Sequence, residues 1–257
     1  MSPFVLGTIG SFLAGMMTAV GAMPIFFFRS IPIRVQDALL GAAAGVMLAA
    51  SFFSLIIPAL EASEEMYSAS AVPALIAVAG VLLGAGCIAA INEHVPHQHF
   101  VLGKEGPISD SLRRIWLFVI AIAIHNFPEG LAVGVGFGTG DVAQGTVLAI
   151  GIGLQNAPEG LAVAFALAGE GYRRRTAFFV AALTGLVEPI GGVLGAAAVT
   201  ISQPILPWAL TFAAGAMIYV VVEELIPESQ FERNTDVATI GAMLGFAVMM
   251  TLDVALG

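Results

Sequence analysis

The chain is short of what soluble proteins use to meet water. Only 11% of its 257 residues are charged, against about 25% in an ordinary soluble domain, and this excludes a water-soluble globule. A single cysteine, Cys87, excludes a disulfide within the chain and leaves redox chemistry without a second thiol. Nine Lys and Arg stand against eighteen Asp and Glu, so no nucleic acid is expected as a partner. No Lys or Arg precedes the first apolar segment, and Arg29 and Arg34 follow it, the reverse of a cleaved signal peptide. Nor do short alternating segments occur, and that excludes a membrane β-barrel.

What remains is apolar. Hydrophobic residues make up 58% of the chain, mean hydropathy is +0.96 and glycines number 30, a composition in which small residues let membrane helices approach closely. A span needs about 20 apolar residues. That length places eight, at 4–27, 36–59, 72–91, 115–137, 143–168, 176–200, 206–226 and 237–256, in one transmembrane domain covering 1–257. The expected class is an all-α integral membrane protein embedded in the lipid bilayer of the cell membrane. Arg29, Arg34, Lys104, Arg113, Arg114, Arg173, Arg174, Arg175 and Arg233 then all fall on one side. By the positive-inside rule that side is the cytoplasm, and both termini face out.

Two stretches repeat one another inside this apolar background: HNFPEGLAV from His125 to Val133 and QNAPEGLAV from Gln155 to Val163. Each places a polar side chain four residues before a glutamate, hence on one helix face. An ionisable group at the bilayer centre costs at least about 2.5 kcal/mol, so each needs a partner or a purpose. His125 and Glu129 in the fourth span, Glu159 in the fifth and Glu188 in the sixth fall near their span centres. Asn126, Asn156 and Gln155 flank them, and Met47, near the centre of the second span, is either a thioether ligand or core filler. A short turn joins spans four and five, so the two copies meet as antiparallel neighbours. Three carboxylates so close repel one another unless cations neutralise them, and imidazole with carboxylate oxygens suits Zn, Fe, Mn or Cd. Pro128 and Pro158 free the carbonyls of Ile124 and Leu154 for an ion or its water. Hydrogen-bonding glue between helices is the bland alternative, and it rarely calls for three carboxylates.

The doubled motif, the eight spans, the outward termini and a histidine-bearing loop after span three resemble the ZIP family of divalent metal transporters. The resemblance covers essentially the whole chain. It implies a 3+2+3 helix arrangement, uptake of Zn and related ions into the cytoplasm, a two-metal site and homodimers. It also implies that Met47, His125, Glu129, Gln155 and Glu159 hold a first ion, and that Asn126, Glu129, Asn156, Glu159 and Glu188 share a second. Gln155 departs from the histidine that many members carry there; a neutral amide binds Zn more weakly and suits a broader range of ions.

A second repeat is weaker. AAGVM at Ala43–Met47 matches AAGAM at Ala213–Met217, and a polar residue follows each methionine by seven positions, Ser54 or Glu224. This points to inverted repeats. On straight helices Ser54 lies about 10 Å to the outer side of the cluster and Glu224 about 10 Å to the inner side. Ser54 and Glu61 then mark an inlet, and Glu223 and Glu224 an outlet, unless the latter are a solvated helix end. The cytoplasmic loop 92–114 carries His94, His97 and His99, which either relay metal loosely or are incidental to a solvated loop. No resident cofactor is expected, only Zn or another divalent ion as substrate. An intramembrane metallohydrolase would want HExxH, which is absent, so no enzyme activity is expected; a metal-sensing membrane protein that does not transport is the other alternative.

Overall fold

The computed structural model describes residues 1–67, 71–94, 97–99, 103–105, 114–230 and 234–256. Eight helices among them are long and apolar enough to cross a membrane: Pro3–Phe26, Ile33–Met66, Ala71–His94, Val119–Gly138, Val142–Gly169, Arg174–Ile201, Leu206–Ser229 and Thr235–Leu256. Each overlaps one of the spans expected from hydropathy, the second running ten residues longer and the third and seventh a few, while the fourth begins later. An even number of crossings puts both termini on one face, called here the terminal face. The opposite face carries Arg29, Arg34 and Arg173–Arg175 and is called the basic face. The segment between spans three and four is not wholly a loop: β1 (His97–His99) pairs antiparallel with β2 (Gly103–Glu105), His97 opposite Glu105. Helix α5 (Arg114–Gly138) follows.

Spans one, four, five and six pack together, as do spans two, three, seven and eight, and the two groups meet where span two lies on five and span four on seven. The pairing is inverted-symmetric. Span one pairs with five as six pairs with four, and span two with eight as seven with three. One constant offset in sequence relates Gly15 to Gly185, Thr18 to Glu188 and Met47 to Met217. The contacts obey it. A Cβ on Gly15 would strike the Gly185 carbonyl and one on Gly185 the Gly15 carbonyl, so the pseudo-twofold axis runs between these two glycines. The proline-glutamate-glycine of each motif copy behaves likewise: Gly130 abuts the Glu188 carbonyl and Gly160 the Thr18 carbonyl. Backbone this close excludes every larger residue.

Three local breaks shape the centre. Spans two and seven each widen into a π turn, Ser51–Ile56 and Val221–Leu225, each starting four residues after its methionine and ending just before Pro58 or Pro227. Prolines lacking an N–H favour such irregularity. Span six is broken outright into α7 (Arg174–Gly185) and α8 (Glu188–Ile201). Glu188 thus begins α8, whose next two N–H groups, of Ile190 and Gly191, both bond to the Val187 carbonyl.

Candidate metal-ion site

Spans four and five are antiparallel and continuous through Pro128 and Pro158. Four residues of helix rise about 6 Å, so His125 sits one turn nearer the basic face than Glu129, while Glu159 sits one turn nearer it than Gln155. The groups expected in one layer therefore form two tiers. Glu129 lies with Gln155 on the terminal side, and His125 with Glu159 on the basic side. Electrostatic neighbours agree: Glu129 faces Gln155, Glu159 and Glu188, whereas Glu159 faces His125, Glu224 and Glu228.

All of these groups are shut away from solvent. His125, Asn126, Glu129, Gln155, Asn156, Glu159, Glu188 and Glu224 are each buried. The carboxylates of Glu129 and Glu159 and the amide of Asn126 make no hydrogen bond of ordinary geometry among the described residues. Asn156 differs: its Nδ2 donates to the Ala14 carbonyl at 2.9 Å and to Glu188 Oε1 at 2.7 Å, and its Oδ1 accepts from Gln155 Nε2 at 2.6 Å. No three His, Cys, Asp or Glu among the described residues are already drawn around one point as an ion cage. The ligand-type side chains are buried as one cluster without closing on a common centre.

Glu224 requires a correction. It does not stand about 10 Å from the cluster on the basic side but forms an ion pair with His125. Two facts bear on the distance: His125 is itself a turn toward the basic face, and Glu224 lies in the π turn at Val221–Leu225, where straight-helix spacing does not hold. Ser54, its counterpart in span two, is buried and donates to Asp253 Oδ1 at 2.5 Å. Sequence reading passed over Asp253, although it is the one ionisable residue inside the expected eighth span. That isolation was the available signal. Met47 is buried in span two, the helix that packs against span five. Glu61 is exposed on the terminal face, and Glu223 is half-buried. His94 is exposed at the end of span three, its Nδ1 2.7 Å from the Ala90 carbonyl. His97 and His99 sit in β1, and their side chains lie outside the described residues, as does the loop segment 106–113.

A buried acidic cluster at the centre of an inverted-repeat bundle of eight membrane helices marks a membrane transporter for cations. Comparison with known proteins gives the particular kind. The family described as ZIP zinc transporter matches residues 92–253, and the chain belongs to that family of transporters, which are not enzymes. It is 42% identical to the zinc transporter GufA of Myxococcus xanthus, over 98% of this chain and 99% of that one. It is 44% identical to the zinc transporter ZIPB of Bordetella bronchiseptica, over 98% and 81%. The human zinc transporter ZIP11 is 38% identical over 97% of this chain and 96% of its own.

Proposed function

We propose that the protein carries Zn and related divalent ions across the membrane into the cytoplasm by alternating access, with the ion held between spans four and five. The single observation behind this is the pair of buried carboxylates, Glu129 and Glu159, whose oxygens make no hydrogen bond of ordinary geometry among the described residues, in the middle of a membrane bundle. Buried charge of one sign is tenable only beside its opposite, and His125 is shared with Glu224. A divalent cation supplies what is missing. His125, Glu129, Gln155 and Glu159 would hold one ion, with Met47 on the adjoining helix. Asn126 and Glu188 would add oxygens for a second, bridged by the two glutamates.

The path follows the repeat. Glu61 and the Ser54–Asp253 pair on the terminal face form the inlet, and Glu224, Glu223 and Glu228 lead away on the basic face, toward the loop bearing His94, His97 and His99. The positive-inside rule makes the basic face cytoplasmic, so the direction is inward. Assembly as a homodimer belongs to the same reading and is checked by mass measurement of the detergent-solubilised particle. Transport itself is tested with proteoliposomes that enclose a zinc-sensitive dye. Wild-type protein should give saturable uptake of Zn and of Cd, while Glu129→Ala and Glu159→Ala should each reduce it more than tenfold. A wild-type rate equal to that of empty liposomes would leave a sensor or a structural protein.

A further inference from the structure

In the second motif copy two amide side chains stand side by side, and only one orientation of each is chemically permitted. Asn156 is fully buried against the main-chain carbonyl of Ala14 in span one. Two oxygens cannot hydrogen-bond to one another, so the atom facing that carbonyl must be Nδ2. The same NH2 group gives its other proton to Glu188 Oε1. Asn156 Oδ1 is thereby turned toward Gln155 and accepts from Nε2. Gln155 Oε1 then points away from Asn156, buried and with no hydrogen-bond partner among the described residues. The matter is chemically decisive because a neutral amide ligates a hard or borderline cation through oxygen, never through its NH2.

The inverted repeat shows that the arrangement is particular to this copy. Asn126 is the counterpart of Asn156, Thr184 of Ala14 and Thr18 of Glu188. Span six breaks at that point, and the Thr184 carbonyl accepts the Val187 N–H at 3.2 Å. Thr18 offers a hydroxyl where Glu188 offers a carboxylate. Asn126 accordingly makes no hydrogen bond among the described residues, and the place of Gln155 is taken by His125, which Glu224 holds.

We infer that Asn156 is a positioning residue and not an ion ligand: it takes its orientation from the span-one backbone and passes it to Gln155, whose carbonyl oxygen it presents to the ion. Its second proton goes to one oxygen of Glu188, whose other oxygen is open to the site with or without that bond. The two asparagines of the doubled motif thus have unequal roles, Asn126 open to the ion and Asn156 closed to it. The inference rests on the cation-site reading above.

Cadmium titration calorimetry on the purified full chain tests it. A carboxylate has two equivalent oxygens and needs no turning, so the background at position 155 separates orientation from packing. Asn156→Ala and Gln155→Ala should each weaken Cd binding about tenfold, and the double substitution no further, because both remove the same oxygen. In a Gln155→Glu background, Asn156→Ala should change affinity less than about twofold. Asn156→Ser, which keeps a hydroxyl but cannot donate two protons, is compared in the same way in case the alanine variant does not fold. Multiplying losses in the double substitution, or equal losses in both backgrounds, would overturn the relay while the site stands. A wild-type chain that binds no Cd would overturn both.

Discussion

At the scale of single residues the site is governed by charge without compensation. Glu129, Glu159 and Glu188 face one another and are all buried, so removing one charge relieves repulsion even as it removes a ligand. Glu129→Gln should therefore cut zinc uptake by more than tenfold yet leave the melting temperature of the detergent-solubilised protein unchanged or higher. A drop in melting temperature with uptake intact would assign Glu129 to structure. Glu224 behaves differently, because it holds His125. Glu224→Ala should slow transport and also weaken Cd affinity several-fold, whereas a pure outlet group would affect rate alone. The doubled motif and its i, i+4 spacing were readable from sequence, because they depend only on one helix at a time, whereas the split into two tiers depends on how two helices meet. The Glu224–His125 and Ser54–Asp253 contacts were not, because each depends on how far one helix slides along another and on a π turn that hydropathy does not register.

At the scale of the helix, close packing is set by glycines whose neighbours are backbone. Gly185→Val would drive a branched side chain into the Gly15 carbonyl, with no flexible atom to yield. Overpacking of this kind costs about 1–3 kcal/mol or more, and the variant should lose its monodisperse peak in size-exclusion chromatography. Gly86→Val is the matched control: a Cβ there meets nothing within 4 Å, and the peak should be retained. The eight spans were legible because each is a continuous apolar run. The break in span six was less so. Val187 and Glu188 lie inside an apolar stretch with no helix stop signal beyond Pro189, a residue that a helix accepts in its first turn.

At the scale of the whole molecule, the proposed orientation rests on where the arginines lie. In a Cys87→Ser background, Glu61→Cys should react with a membrane-impermeant maleimide on intact cells, and Arg173→Cys only after the membrane is opened. The reverse pattern would turn the molecule over and make it an exporter. The repeat was visible in sequence as two five-residue strings, too little to fix a register. What fixes it is the reciprocal contact of Gly15 and Gly185. That contact bears on energetics. Two halves of similar backbone in opposite senses can trade conformations, and a state open to one side then has a counterpart, related by the pseudo-twofold axis, open to the other. Contacts that recur in both halves contribute alike to the two states, and the pairs that differ, such as Ser54 with Glu224 and Thr18 with Glu188, tilt the balance. In a carrier built this way the side chains that break the symmetry set which state rests lower, and the ion gradient supplies the drive.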